Sequence, residues 1–431
     1  MITDPTAVAL LIGTFFILIV LGVHIAFAIG VATVITTIYI GIPLMTVAQN
    51  MVKGINVYAI MAVPFFIVAG EIMGSGGISR RLIELSNALI GWVRGGLAMV
   101  NIMASMFFGG ISGSSAADTS SIGSVLIPMM KKAGYDGEFS TAVTMTSSVQ
   151  GILIPPSHNM VLFALVVGGV SIGELFLAGL VPGLFLGLVL MIFVYFISKK
   201  RNYPMGDKFE PKKALKTTWE AGLGLGTVLI VVGGVVSGIF TATESAAIAV
   251  VYAFIITFFV YREIPISEFW YILGRSVKTL SIVMILVATA SAFGWIIAYL
   301  KIPAYLTESI LGFSENKYVV LMIINVLLLF LGMVMDMASL ILILAPILLP
   351  IVTAVGVDPV HFGVIMILNL GVGLITPPVG STLFIGSAIA GIKIERLSKA
   401  MIPFYIVILA TLMAVTYIPE ISLFIPTLFM R

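Results

Sequence analysis

The chain has 431 residues, of which 60% are hydrophobic and only 10% charged, and its mean hydropathy is +1.20. Apolar runs of the roughly 20 residues needed to cross a bilayer recur along its whole length. The runs over 175–197 and 245–261 contain no charged residue. This composition excludes soluble enzymes and nucleic-acid binding, and it predicts an all-α polytopic protein whose main partner is the lipid bilayer. The absence of cysteine excludes disulfides and thiolate chemistry.

The first half of the chain begins with predicted membrane spans. The N-terminal segment "MITDPTAVALLIG" lacks a basic leader and a small-residue cleavage site, so we expect a first span and not a cleaved signal. The stretch "SRRLIELSNALIGWVRGG" (79–96) carries Arg80, Arg81 and Arg94 and has the pattern of an amphipathic arm in the membrane interface.

Two polar interruptions follow that arm. Apolar segments 97–111 and 122–130 flank "GGISGSSAADTSSIG" (109–123) and are too short to span, which predicts a re-entrant helical hairpin. Downstream, "TSSVQGILIPPSHN" (146–159) predicts a broken helix, because its Pro-Pro pair removes backbone amide donors.

The basic run at 199–216 divides the chain and predicts its orientation. By the positive-inside rule this run lies in the cytoplasm. Counting spans outward from it places nearly every other basic cluster on the same side, despite a net charge of only +3. The topology therefore predicts that the N- and C-termini both lie on the outer side.

The second half repeats the same order of elements. It contains spans at 219–239 and 244–261, a second amphipathic arm "PISEFWYILGRSVKTL" with Arg275 and Lys278 (265–280), a hairpin from 318–335 and 340–352 around "GMVMDMAS" (332–339), and a broken helix at "NLGVGLITPPVGST" (369–382).

The two halves match at a spacing of 222 residues, and the matches are Pro128 with Pro350, Gly134 with Gly356, Asp136 with Asp358, Gly151 with Gly373, Pro155-Pro156 with Pro377-Pro378 and, with one gap, Pro182 with Pro403. The segment "KKAGYD" in the first half is basic, whereas its partner "TAVGVD" has no Lys or Arg, so we expect the repeats to be inverted in the membrane. Inverted repeats with broken helices are typical of secondary transporters, whose sites lie near the midplane.

The interruptions also have the chemistry of an ion and anion site. Carbonyl oxygens freed at a break, together with Ser and Thr hydroxyls, suit a hard cation. The helix that restarts after each tip directs its positive N-terminus at the midplane, which favours a carboxylate.

Four motifs now identify a family resemblance: "FFGGISGSSAADTSSIGSVLIP", "GILIPPSHNMV", "MDMASLILILAPILLP" and "GLITPPVGST". Together they resemble the large membrane subunit of a tripartite ATP-independent periplasmic (TRAP) transporter, over essentially the whole chain. The resemblance implies a sodium-coupled, elevator-type importer of a small organic acid in the bacterial inner membrane. It also implies a fold similar to the divalent anion/sodium symporters, a small membrane subunit of Q type, and a periplasmic substrate-binding protein as partners.

The resemblance implies a division into five segments. These are scaffold helices and an arm (1–94), a transport-domain part with the inner hairpin and broken helix (95–198), the cytoplasmic loop (199–216), scaffold helices and an arm (217–316), and a transport-domain part with the outer hairpin and broken helix (317–431). At the first tip, Ala116, Ala117 and Asp118 depart from the "SGSSPATVVAIG" of dicarboxylate members, which favours sialic or another sugar acid as substrate.

Two sodium sites are expected. The first comprises the hydroxyls of Ser112, Ser114 and Ser115 and backbone carbonyls from Gly151 to Pro155. The second comprises Asp336, favoured as an ion-site residue over a helix cap, with Ser339, Gly373 and Thr376. Candidate substrate contacts are Ser114, Ser147, Ser148, His158 and Met337.

Asp118 has two interpretations that the sequence leaves open. With Ser115 it has the spacing of a helix capping box, the device also present at Ser171/Glu174 and Thr241/Glu244. A carboxylate at membrane depth is equally a candidate for supporting the ion site.

Three other functions compete with sodium-coupled TRAP import. "GISG" (110–113) fits an intramembrane serine protease with Ser112 as nucleophile and His158 as base, although the pattern is weak in a glycine-rich chain. A stand-alone anion/sodium symporter would need no binding protein. An ion channel would conduct without saturable uptake.

Overall fold

The computed structural model describes residues 4–430, which are helical apart from short connections and one isolated bridge between Arg94 and Met205. The helices of the first half are α1 (Pro5–Val20), α2 (Ile25–Tyr39), α3 (Leu44–Ile55), α4 (Ala62–Ser75, preceded by a 3₁₀ turn at Tyr58–Met61), α5 (Ile78–Ile90), α6 (Gly96–Ser112), α7 (Ser115–Lys132), α8 (Gly137–Gln150), α9 (His158–Val167) and α10 (Ile172–Lys200).

The helices of the second half are α11 (Pro211–Val236), α12 (Ala242–Ile255, continued by a π-helical turn at Ile256–Tyr261), α13 (Glu268–Tyr299), α14 (Ile302–Phe313), α15 (Lys317–Gly332), α16 (Met337–Ala354), α17 (Pro359–Leu374), α18 (Ser381–Ala390), α19 (Ile394–Tyr417) and α20 (Glu420–Phe429). Within residues 4–430, seven helical segments are long and apolar enough to cross a membrane, which confirms a polytopic membrane protein.

Both predicted helical hairpins are present, and each turns at a residue suited to the turn. Gly113 ends α6 with a φ of +58°, and Ser114 caps α7, so the first turn occupies only two residues. In the second hairpin α15 ends at Gly332 and Asp336 caps α16. Ser114 and Asp336 occupy matching positions of the sequence repeat, and both are N-caps.

Both predicted broken helices are also present. The first break separates α8 from α9 at residues 151–157, and the second separates α17 from α18 at residues 375–380. The Pro-Pro peptide bond in each break is cis. Three pairs of helices begin 222 residues apart in the two halves: α7 with α16, α8 with α17, and α10 with α19.

The two halves also pack against each other in a reciprocal way. The second helix of the first hairpin, α7, contacts α18, while the second helix of the other hairpin, α16, contacts α9. Each hairpin therefore lies against the restarted helix of the opposite half.

The amphipathic stretch 265–280, predicted as a second arm, does not form a helix of its own. This stretch forms the start of α13, a helix of 32 residues, because between Glu268 and Tyr299 no proline or left-handed residue interrupts it. A short helix, α14, follows instead. In the first half the expected amphipathic segment does form a separate helix, α5.

Candidate functional site

The first hairpin tip lies directly against the first helix break. A methyl group placed on Gly113 would lie 2.7 Å from the Pro156 carbonyl oxygen and 3.1 Å from the Ser157 Cα. This proximity brings Ser112 and Ser114 to the N-terminus of α9, as the sequence predicted for the tip and the carbonyls after Gly151.

A glycine pair sets the distance between hairpin and broken helix in each half. A Cβ on Gly109 of α6 would lie 2.1 Å from the Cα of Gly151, at the end of α8. In the second half a Cβ on Gly373 would lie 2.5 Å from the Gly332 carbonyl carbon. Only residues without side chains permit such close backbone approach. Gly151 and Gly373, expected as sodium ligands, thus have a packing role in the structure.

A cavity of about 740 Å³ opens beside the first tip. Ser112, Ser114 and His158 line it, so two of the five predicted substrate contacts border one space. One side of α7 continues the wall with the hydroxyls of Ser120, Ser121 and Ser124. The remaining wall comes from α4, α5 and α13 and includes Glu71, Arg80, Arg275 and Thr279.

The predicted substrate contacts Ser147 and Ser148 lie elsewhere. Both are fully buried in α8, where Ser147 Oγ lies 3.0 Å from Ser105 Oγ and Ser148 Oγ lies 2.6 Å from Ser115 Oγ. Ser115 Oγ also lies 3.2 Å from Thr382 Oγ1 of α18, which joins the two halves. We call this packed polar contact zone between α6, α7 and α8 the buried seam. Met337 is likewise buried, at the start of α16.

Asp118 lies in the buried seam, and its capping-box interpretation is wrong. The cap of α7 is Ser114, whose Oγ accepts a hydrogen bond from the Ala117 amide at 3.3 Å. The Asp118 side chain has no exposed surface, and neither carboxylate oxygen has a donor in hydrogen-bond geometry among the described residues, although the Ser105 hydroxyl lies nearby. By contrast, Thr241 and Glu244 do form a complete capping box.

Other acceptor oxygens of the seam are also unpaired within the described part of the chain. Asn101 donates to Thr144 Oγ1 at 2.6 Å and Gln150 donates to the Ile102 carbonyl at 2.6 Å, yet their side-chain oxygens have no donor. Sequence reasoning missed both residues and Ser105. The signal was present, since Asn101 and Ser105 are four residues apart and so share one side of an apolar helix.

The second tip has a carboxylate, Asp336, at the position where the first tip has the hydroxyl of Ser114. Asp336 is exposed, and its Oδ2 accepts from the Ala338 and Ser339 amides at 3.0 and 3.4 Å, so it caps α16. Thr376 donates to the Val372 carbonyl within the break. The tip contacts this break directly, because the Val379 amide donates to the Met333 carbonyl at 3.1 Å.

The architecture and the polar site define the class of protein. A polytopic helical molecule with two hairpins, two broken helices and a large hydroxyl-lined cavity is a membrane transporter. The YdaH transporter of Alcanivorax borkumensis has a similar fold, with a TM-score of 0.63 over 86% of each chain at 15% identity.

The sequence comparisons identify the family. Residues 12–421 match the family described as "Tripartite ATP-independent periplasmic transporter, DctM component", and the chain belongs to it. It is 43% identical to the isethionate TRAP transporter permease protein DctMQ of Oleidesulfovibrio alaskensis over 98% of this chain and 66% of that protein. It is 40% identical to the sialic acid TRAP transporter large permease protein SiaM of Vibrio cholerae over 89% of this chain and 90% of that one.

This membership confirms the predicted family and excludes an enzymatic function. The chain is a large permease component and not an enzyme, so the intramembrane protease hypothesis based on Ser112 and His158 is wrong.

Proposed function

We propose that this permease imports a small organic acid together with sodium, and that the buried carboxylate of Asp118 helps to bind the ion. The observation that carries the proposal is that the Asp118 carboxylate is fully buried, with the Ser105 hydroxyl nearby but no donor in hydrogen-bond geometry among residues 4–430. Leaving a buried charge uncompensated costs about 3–5 kcal/mol. A bound cation offsets that cost, and a carboxylate oxygen is a ligand that hard cations prefer.

The cavity suits the acid. The N-termini of α7 and α9 both reach it, at Ser114 and His158, and helix N-termini favour anions. Its volume lies within the range of small-molecule sites. A sialic or other sugar acid is the substrate class we favour, supported by the Ala116, Ala117 and Asp118 sequence of the tip and by the sialic acid relative.

The remaining parts of the proposal rest on family membership. We expect a bacterial inner-membrane location with periplasmic termini, an elevator-type movement of the hairpins and broken helices, a periplasmic binding protein and a small membrane subunit. The isethionate relative supports the last partner, since it is longer than this chain and its name joins M and Q.

Sodium binding can be tested without knowing the substrate. A ligand that binds only the folded protein stabilises it by about 2.7 kcal/mol at one hundred times its Kd. We therefore expect NaCl, but not choline chloride, to raise the unfolding temperature of the purified permease. Asp118→Asn should lose most of this rise, while Asp136→Asn, a carboxylate outside the seam, should keep it. Equal sodium stabilisation in wild type and Asp118→Asn would exclude our ion site.

Uptake into proteoliposomes tests the transport function. With a sodium gradient and candidate binding proteins, we expect saturable uptake of sialic acid, isethionate or succinate, and a higher sodium concentration for half-maximal rate in Asp118→Asn. Uptake that is equally fast without any binding protein would favour a stand-alone symporter. Unsaturable conductance would favour a channel.

A further inference from the structure

The cavity beside the first tip has two chemically different walls. The α7 wall presents uncharged hydroxyls, from Ser120, Ser121 and Ser124. The lining from the other helices forms a charged wall, with Glu71 of α4, Arg80 of α5 and Arg275 of α13. An acid in this space therefore has both neutral hydroxyl donors and guanidinium groups within the same lining.

Arg275 and Glu71 form an ion pair within that charged wall. Arg275 Nη2 lies 2.6 Å from Glu71 Oε2, and the two residues come from helices separated by 204 positions in sequence. Of the six ion pairs found in residues 4–430, this is the one with both members on the cavity. Its members therefore have access to whatever the cavity contains.

The Arg275 guanidinium retains free donor capacity. Its side chain is 51% exposed and that of Glu71 is 26% exposed, and a guanidinium has five N–H donors. Its planar fork matches carboxylate and sulfonate oxygens in a bidentate way, which a lysine cannot reproduce. Glu71 neutralises the charge but leaves part of the fork facing the cavity.

We propose that Arg275 contacts the acid group of the substrate in this cavity, and that Glu71 competes with that group for the guanidinium. This inference rests on the proposed transport of an organic acid. Competition by Glu71 keeps the acid weakly bound at Arg275, which permits its release into water. The ligand chemistry is an organic carboxylate or sulfonate. A purely structural pair, joining α4 to α13, would show no such competition.

The two interpretations predict different effects of two charge-removing substitutions on protection by a bound acid. If the pair only joins helices, Arg275→Gln and Glu71→Gln remove the same contact and change protection by a bound acid in the same direction, although they change the local charge oppositely. If Glu71 competes with an anion for Arg275, then Arg275→Gln weakens anion occupancy and Glu71→Gln strengthens it. Arg81→Gln is the matched control, because Arg81 forms a 2.6 Å pair with Glu263 and neither residue lines the cavity.

The chain contains no cysteine, so a single thiol can report on the cavity. Thr279 lines it one helical turn from Arg275. In a Thr279→Cys background we would compare the modification rates by a sulfonatoethyl and a trimethylammonioethyl methanethiosulfonate. We expect Glu71→Gln to raise the sulfonate-to-ammonium rate ratio and Arg275→Gln to lower it, each by roughly fivefold or more, the effect of one unit charge a few ångströms away in water. Arg81→Gln should leave the ratio unchanged.

A bound acid gives the second measurement. We expect 50 mM isethionate to slow the sulfonate reagent in the Thr279→Cys protein, more strongly with Glu71→Gln, and no longer with Arg275→Gln or Arg275→Lys. Shifts of the rate ratio in the same direction in both glutamine variants, or isethionate protection that survives Arg275→Lys, would overturn the inference. Sodium stabilisation should be normal in Arg275→Gln, so failure of Arg275 and failure of sodium coupling are distinguishable.

Discussion

Replacing Gly109 by alanine tests whether glycine sets the distance between the first hairpin and the broken helix. The added methyl group would lie 2.1 Å from the Gly151 Cα and 3.1 Å from its carbonyl carbon and oxygen. Carbon atoms pack at about 3.5–4.0 Å. Because the obstacle is backbone, no side-chain rotation can relieve the clash, and α6 must move away from α8 by roughly 1.5 Å.

The cost follows from what that movement disrupts. Overpacking alone costs about 1–3 kcal/mol. The same movement stretches the Asn101–Thr144 and Ser105–Ser147 contacts, which are 2.6 and 3.0 Å long, and such bonds contribute about 0.6 kcal/mol each in a membrane protein. The higher helix propensity of alanine offsets at most about 1 kcal/mol of this destabilisation. We expect a net loss of about 1–3 kcal/mol.

Thermal unfolding of the purified permease measures this loss. Gly222→Ala in α11 is the control, because a Cβ there has no atom within 4 Å. The second half supplies an internal comparison. Gly373→Ala should lower the unfolding temperature strongly, because its methyl group would lie 2.5 Å from the Gly332 carbonyl carbon. Gly332→Ala should lower it only slightly, because its methyl group would lie 3.4 Å from the Gly373 Cα. If Gly109→Ala and Gly222→Ala unfold at the same temperature, the glycine pair does not set the helix distance.

Two further predictions concern polar contacts outside the cavity. Asp136 Oδ2 accepts from Tyr203 Oη and from Arg201 at 2.6 Å each, and the Tyr203 hydrogen bond, followed by the Arg201 contacts, lowers the pKa of Asp136. A carboxylate with a lowered pKa stabilises the fold above its unfolded pKa of about 4, and the effect is lost as the pH falls through the folded value. Tyr203→Phe should therefore lower the unfolding temperature at pH 7 more than at pH 3, and an equal decrease at both would contradict this role. Asn369 donates to the carbonyl and Oδ1 of Asn325, at 3.0 and 2.7 Å in a buried site. Asn369→Ala should destabilise by about 1–2 kcal/mol, and adding it to Asn325→Ala should cost little more, whereas fully additive losses would show that the two side chains act independently.

The positions of the hairpins and breaks could be predicted because backbone chemistry determines them locally. Glycine with positive φ, a capping residue and a Pro-Pro pair each end or start a helix without help from the rest of the chain. The two arms were harder, because amphipathicity does not indicate where a helix stops. Residues 265–280 are amphipathic, yet they continue into α13 as one helix.

The structure gathers the predicted first-half site residues in one region but divides them between the cavity and the buried seam. All the first-half candidates lie near the first tip and break, yet the sequence could not separate Ser114, on the cavity, from Ser147 and Ser148, in the seam. That separation depends on which helices cover each side of α7. The covering helices are α8, which follows it in the chain, and α18, which is far away in sequence.

The two sides of α7 suggest how ion and acid binding are coupled. Ser115 and Asp118 are directed into the seam, whereas Ser120, Ser121 and Ser124 line the cavity. Ser114 caps the N-terminus of the same helix and also lines the cavity. Under the proposed function, sodium at Asp118 fixes the first turn of α7 against α8, and that same turn presents its N-terminus to the acid. Because one short helix carries both contacts, the ion affects acid affinity without any long-range rearrangement, and by linkage the acid affects sodium affinity by the same factor.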